Sequence, residues 1–477
     1  MARKVKNSLN VFQRKEQLKD RLRRKHAIKQ GDKTIVLNMI VRNESKIITR
    51  LLDSVKPIID FICITDTGST DNTEDIIYAW GKENNIPTTV CHEPFKNFSY
   101  NRTNSVKNAK RCYPEADYIL LADADFTFDI NVNGTFRKDL LIDHSYLISQ
   151  YNNTMSYDNV RLISSKVDWK YYLRTHEYIA ENTGSDRDKQ CFDGYIRVSR
   201  IRTLRINDLE DGGHKDEKYE RDLILINEDL ADPEVSEDDK IRCRFYLART
   251  LHDIQRYEEA IEAYLERCKH VGFIEEVYYS KFQIGHCYET IAHNILNCSK
   301  LIRGDKMIKE ADGDIEILKQ LEEKNIFPLT EEDVNFIKKW NSDNLEWGEL
   351  VMKSEFTFEK ADEEYWKAYQ YRKSRAEALA ALTRMHRELF HSQRAYNLAE
   401  IGKTIKPTID TLFVYSEDYK EYTWDFEISV TACYLNKIGN RNGMDVGLEA
   451  TQRVLEYEDE IPPGMLEVTR NNLQFYI

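Results

Sequence analysis

Asp123 and Asp125 stand one residue apart at the end of an apolar run, "YILLADADFTFDI", Tyr118 to Ile130. Both carboxylates ionise near neutral pH, and burying them unpaired would be costly. Three kinds of chemistry are open to such a pair. They can hold a divalent cation. With Thr127 they also fit the Asp-x-Asp-x-Thr pattern of a phosphatase nucleophile loop. Or they are ordinary acids where a strand meets solvent.

The elements around the pair narrow the setting. "TIVLNMIV", "DFICITD", "TTVCHEP" and "DYILLADAD" are short, nearly continuous apolar runs, as expected of strands buried on both faces. Between them, "ESKIITRLLDSVKPI", "STDNTEDIIYAWGKENN" and "SYNRTNSVKNAKRCY" read as helices, the second with Ser and Asp at cap positions. Strand and helix alternate with short connections, which predicts a parallel α/β sheet. Such sheets bind ligands at the carboxyl ends of their strands. Arg42, Asp66, Asp123 and Asp125 fall on that edge. After Asp129, "YLISQYNN", "NVRLISS" and "GYIRVSR" predict a mixed, partly antiparallel region.

Two patterns do not survive this setting. "DTGST", Asp66 to Thr70, matches an aspartic-protease loop, but that mechanism needs two such aspartates sharing a proton, and there is no second copy. The phosphatase pattern needs a supporting lysine and a second acidic pair after another apolar strand. The later adjacent pair, Asp238 and Asp239, sits in polar "EVSEDDK", and three strand–helix units precede the motif.

The cation reading gathers more residues. "LNMIVRNESKIITRLLDSV", "ICITDTGSTDNTEDI", "SYNRTNSVKNAK" and "YILLADAD", in that order and spacing, resemble a family 2 glycosyltransferase of the GT-A fold. The resemblance covers most of residues 34 to 130. "WKYYLRTHEYI" and "DGGHKDEKYERD", ahead of repeat-like helices, are similar more loosely to a subgroup of such enzymes.

The resemblance implies a metal-dependent, inverting transfer of a sugar from a nucleotide-sugar, a UDP-sugar, to a glycan or protein acceptor. It implies Asp125 as direct ligand of Mn²⁺ or Mg²⁺, with Asp123 at the ribose or the metal shell. Asp66 is similar to the aspartate that accepts from the base, and Arg102 to the arginine beside the donor nucleotide. Arg42, Asn43 and Glu44 occupy the loop where the nucleotide lies. His214, after two glycines, is a further candidate metal ligand, ahead of His176. Oxygen ligands and a diphosphate leaving group suit those cations. Inversion needs a base for the acceptor hydroxyl. Glu177 is the first choice, because it falls beyond the metal motif where the acceptor side should be, and Asp216 is the second. Trp169 lines the acceptor pocket or belongs to the core. Bland readings stand beside these: Asp66 as a cap of the helix near Asp71, Arg102 as a surface charge, Asn43 and Glu44 as structural.

Composition bounds the rest. The chain has 477 residues and a net charge of -13, which speaks against general nucleic-acid binding. Nine scattered cysteines without a Cys-x-x-Cys pair suit reduced thiols in a cytoplasmic setting better than a disulfide framework or a zinc site. No apolar stretch approaches the roughly 20 residues of a membrane span.

Residues 1–33 predict a basic N-terminal arm, residues 34–217 the catalytic domain and residues 218–477 an all-α domain. There, "RCRFYLARTLHDIQRYEEAIEAYLERCKHVG" fits a tetratricopeptide template through Leu247, Ala248, Ala260 and Tyr264. "YYSKFQIGHCYET" places Ile284, Gly285 and Tyr288 about one repeat on, and "EALAALTRMHRELFHSQRAYNLAEIG" is a weaker copy. Residues 300–355 read as an insertion or a degenerate repeat. Such a solenoid holds a peptide, a glycan or a second copy of the chain as a homodimer. The principal rival to catalysis is a tetratricopeptide interaction protein carrying an inactive transferase-like domain.

Overall fold

The computed structural model describes residues 33–152, 156–182, 198–212, 218–406, 408, 416–435 and 441–477. The basic arm, apart from Lys33, and the candidates His214 and Asp216 lie outside the described residues. The chain divides into two compact units, Met1–Asp229 and Leu230–Ile477.

The first unit is built on an eight-stranded mixed sheet. Its strands are β1 (Ile35–Val41), β2 (Phe61–Asp66), β3 (Thr88–His92), β4 (Tyr118–Leu121), β5 (Phe126–Ile130), β6 (Ser145–Tyr151), β7 (Ser156–Ser164) and β10 (Val198–Asp208). Their order is β3-β2-β1-β4-β7-β6-β10-β5. The first four in that order run parallel, with Val41 opposite Asp66 and Asn38 opposite Leu121. β7 is antiparallel to both β4 and β6. β8 (Trp169–Tyr172) and β9 (Tyr178–Glu181) form a separate antiparallel pair.

Helices α1 (Ile48–Val55), α2 (Thr73–Glu83) and α3 (Phe98–Cys112) follow the first three strands. The unbroken apolar pattern of β1 has a direct cause. Ile35, Leu37, Met39 and Val41 join one buried cluster with Leu51, Leu52 and Ile77, while Val36 joins another with Val106 and Ala109. A strand covered on both faces has no solvent side to make polar.

Three details depart from the sequence expectation. β4 ends at Leu121, and β5 begins at Phe126, so the two aspartates occupy a tight turn between strands rather than a strand tip. β5 was not foreseen, because "FTFDI" reads equally well as a continuation of the preceding run. The N-cap of α2 is Asn72, without a side-chain cap; Asp71, one place earlier, accepts from Thr73 N at 3.1 Å.

Helix α4 (Lys218–Ala231) begins where the all-α region was expected. The first compact unit nevertheless extends to Asp229, through most of α4. The reason lies in its buried acids: Thr175 Oγ1 donates to Asp222 at 3.0 Å, and Arg174 N donates to Asp229 at 2.7 Å.

The second unit is helical: α5 (Glu237–Asp253), α6 (Tyr257–Cys268), α7 (Ile274–Glu310), α8 (Ile315–Glu323), α9 (Glu331–Trp340), α10 (Trp347–Tyr371), α11 (Glu377–Glu388), α12 (Ser392–Gly402), α13 (Glu421–Thr431), α14 (Gly443–Leu455) and α15 (Pro463–Tyr476). From α11 on, each helix packs on the next and also on the next but one at α11–α13 and α13–α15. α7 and α10 form a long pair; α8 and α9 lie between them in the chain, and α9 packs on α7. Ala248, Ala260, Tyr264 and Ile284 are buried. His252 and His286, 34 residues apart, meet at 3.1 Å. A Cβ on Gly285 would stand 2.6 Å from the Tyr365 ring. Gly285→Ala is therefore expected to overpack this helix crossing and cost about 1–3 kcal/mol. An unchanged urea midpoint for Gly285→Ala would show that the crossing has room to relax.

Candidate active site

The candidate site forms at the carboxyl edge of the sheet in the first unit. α3 carries Arg102 across to the turn after β4, where its Nη2 donates to Asp123 Oδ1 at 2.6 Å. Arg161, from the middle of β7, donates through Nη1 to Asp123 Oδ2 at 3.3 Å, and its guanidinium lies over the Phe126 ring. Asp123 is thus held between two cations. Burial pushes its pKa up, but the two arginines outweigh burial and hold it below the ordinary carboxylate value.

The network runs further on both sides. Arg161 Nη2 donates to Gln150 Oε1 at 2.9 Å, and Gln150 Nε2 donates to Asp208 Oδ2 at 2.8 Å. At the other end, Arg102 Nε lies 2.6 Å from Glu177 Oε1, a close ion pair rather than an aligned hydrogen bond. The loop that delivers Glu177 is pinned to α3: Tyr171 N donates to Thr103 Oγ1 at 2.9 Å, and Phe98 N donates to Arg174 O at 3.0 Å. Leu173 and His176 take left-handed backbone angles in that loop, φ 66° and 49°. Burial opposes the charge of Arg102, yet Asp123 and Glu177 raise its pKa. It is a buried bridging cation, not a surface charge.

Asp125 differs from Asp123 in kind. Burial, then Asp123 and Asp208, with a smaller effect from Asp211, push its pKa up to about 6. Its acidic neighbours outweigh the positive field of Arg50, which is itself paired with Asp211. Burial also raises Asp208, against the hydrogen bond from Gln150. Asp211 is taken by Arg50, whose Nη2 and Nη1 donate to it at 2.7 and 2.8 Å. A Cβ on Gly212 would stand 3.2 Å from Asp125 Oδ2, so the chain closes on that carboxylate from the far side. Oxygen donors with surplus negative charge fit a hard divalent cation such as Mg²⁺ or Mn²⁺.

The remaining candidates surround the ends of β1 and β2. Asp66 is buried; its Oδ1 accepts from the amides of Gly68 and Ser69, both at 2.7 Å, which leaves Oδ2 for a ligand. It organises its own loop and does not cap α2. Asn43, at φ 58°, accepts from Thr70 N at 2.7 Å and donates its amide to Ser69 Oγ at 3.0 Å. Glu44 N donates to Thr73 Oγ1 at 2.8 Å, and the Glu44 carbonyl receives Ile47 N and Ile48 N. Both residues lock two loops together. Arg42 is exposed beside them. Trp169 is core: it is 3% exposed and donates to Ser164 O at 2.8 Å.

Arg161, Gln150 and Asp208 escaped the sequence reading. A charged residue inside the apolar strand "NVRLIS" was a usable signal for Arg161. "RINDLEDGG", three acids at a strand end, was one for Asp208 and Asp211.

Residues 37–136 match the family model described as Glycosyl transferase family 2. The chain carries a family 2 glycosyltransferase domain. The matched segment contains Arg42, Asn43, Glu44, Asp66, Arg102, Asp123 and Asp125; Glu177, Arg161 and Asp208 lie beyond it. The mixed sheet with its helical second unit is the GT-A arrangement and all-α region that the sequence implied.

Two curated relatives bear on this glycosyltransferase domain. The SPbeta prophage-derived glycosyltransferase SunS of Bacillus subtilis (strain 168) is 26% identical over 250 residues, 49% of this chain and 53% of that protein. The glycosyltransferase SunS of Bacillus phage SPbeta matches to the same extent. The chain spans about half the length of these relatives. Among solved structures, S. aureus TarS 1-349 in complex with UDP is 15% identical, with a TM-score of 0.27 over 54% of this chain and 80% of that one. Among the described residues no helix is long and apolar enough to cross a membrane.

Proposed function

We propose that the chain is a metal-dependent, inverting glycosyltransferase that moves a sugar from a UDP-sugar to a glycan or protein acceptor. The observation that carries this reading is the split between the two aspartates. Asp123 is neutralised by Arg102 and Arg161, and Asp125, two residues away, is left with surplus negative charge. A phosphatase nucleophile at Asp123 would have to leave two arginines. A decayed site has no use for an uncompensated carboxylate at a sheet edge.

In this reading Asp125 holds Mn²⁺ or Mg²⁺, with Asp123 at its shell and His214 as a further ligand. When bound, the cation neutralises charge on the departing diphosphate. Asp66 Oδ2 accepts from the base, and Asp66 with Asn43 and Glu44 keeps the nucleotide loop in shape. Arg42 and Arg102 face the nucleotide with positive charge. The helical unit, tetratricopeptide-like in sequence, holds the acceptor or a second copy of the chain.

The ion pair with Arg102, at 2.6 Å, supports a role for Glu177 in positioning that arginine on the donor side rather than as the base. Asp216 then becomes the preferred base for the acceptor hydroxyl. Asp216→Asn is expected to lower kcat by roughly two to four orders of magnitude with UDP affinity unchanged. Glu177→Gln is expected chiefly to weaken UDP binding. The opposite split would return the base role to Glu177. The enzyme reading itself is checked by titrating UDP with and without Mn²⁺ and scoring UDP release across a nucleotide-sugar panel. Metal-independent UDP binding would remove the cation role. Absence of any UDP release would favour an interaction protein.

A further inference from the structure

Away from the catalytic edge, three cysteines that are remote in sequence meet on one side of the sheet. Cys63 lies on β2, Cys91 on β3, and Cys112 is the last residue of α3. Their sulfurs all lie within 4.8 Å of one another. The register explains the meeting. Cys63 is opposite Thr89, and Cys91 is opposite Thr65, so the two cysteines are diagonal neighbours on the same face. That face is the one α3 covers, with Val106 and Ala109 in the same cluster.

We propose that Cys63, Cys91 and Cys112 form a three-thiolate site for a soft divalent cation of the Zn²⁺ class. Three sulfurs each about 2.3 Å from one cation stand roughly 3.7–4 Å apart, so modest side-chain rotation closes the set. Charge favours a divalent ion over a monovalent one. Three thiolates and Zn²⁺ leave one negative charge, and Arg111 Nη2 stands 3.9 Å from Cys91 Sγ to meet it. Cys63 is fully buried, while Cys91 and Cys112 are half-buried, so the cation has an entry side and room for a fourth ligand from solvent. The thiolate is the ligating form, so the cation must displace protons on binding.

The test uses the reduced full-length chain. Zn²⁺ is titrated against a chromophoric competitor, and Co²⁺ serves as a probe whose sulfur-to-metal charge-transfer band reports thiolate ligation. One equivalent should bind with that band, and binding should weaken as pH falls. Cys91→Ser and Cys112→Ser, both at half-buried positions, should each weaken it by at least tenfold. Cys433→Ser, in the other unit, and Asp125→Ala should leave the band unchanged. Zn²⁺ should raise the melting temperature of the parent chain but not that of Cys112→Ser. Absence of the charge-transfer band, or equal Zn²⁺ affinity in the parent and Cys112→Ser, overturns the site. Loss of the band in Asp125→Ala would move the cation to the catalytic edge.

Discussion

Asp125→Ala is expected to abolish sugar transfer and to leave the fold as stable as before, or more so. The two halves of that result come from one fact. Asp125 is the carboxylate whose ionisation the site opposes, and its pKa is pushed up to about 6 by burial and by Asp123 and Asp208. A group with a raised folded-state pKa binds more protons folded than unfolded. Stability is therefore lost as pH rises from the ordinary carboxylate value through about 6, and removing the carboxyl removes that loss. Function has the opposite sign, because surplus charge is what holds a cation. Losing several kcal/mol of transition-state stabilisation corresponds to roughly 10²–10⁴ in rate. UDP release and thermal melting at pH 7, measured on the same preparation, check both halves. Full activity in Asp125→Ala, or in the parent chain with EDTA, would end the metal assignment. A large drop in melting temperature would make the residue a structural one.

Arg102→Met is expected to have the largest effect on stability of any single change at the site. Its guanidinium is close to Asp123 at 2.6 Å and to Glu177 at 2.6 Å, with all three side chains no more than about a quarter exposed. Removing one partner of a buried ion pair leaves the others uncompensated, at a cost of about 3 kcal/mol or more. Arg161 still reaches Asp123, so the stranded charge is chiefly that of Glu177. Adding Glu177→Gln to Arg102→Met should therefore recover about 1 kcal/mol or more, a coupling typical of contacting groups. Urea unfolding of the two single variants and the double variant measures it. Simple additivity would show that the three groups do not act as a unit. Arg102→Met should also weaken UDP binding, whereas Gly285→Ala, in the other unit, should not.

The sequence by itself determined the alternation of strands and helices from Ile35 to Leu121, because a strand covered on both faces must be apolar throughout. β1 shows it directly, with Leu37 and Val36 feeding different clusters. It also singled out Asp66, Arg102, Asp123 and Asp125, because charged residues at strand ends are visible against an apolar background. What it could not decide was partnership. Nothing in the order of residues says that Arg161 on β7 reaches Asp123, since β7 enters the sheet beside β4 by an antiparallel pairing far along the chain. Nor does it say that Glu177 faces Arg102, because that contact depends on a turn with left-handed Leu173 and His176 pinned by Thr103. The opposite pKa shifts of Asp123 and Asp125 are a purely tertiary property. Both are aspartates in one short turn, and only the placement of Arg102, Arg161 and Asp208 makes one a satisfied anion and the other an open one. The three thiols of Cys63, Cys91 and Cys112 follow the same rule. Scattered along the chain they read as separate reduced thiols, and the register of β2 with β3 under α3 brings them together.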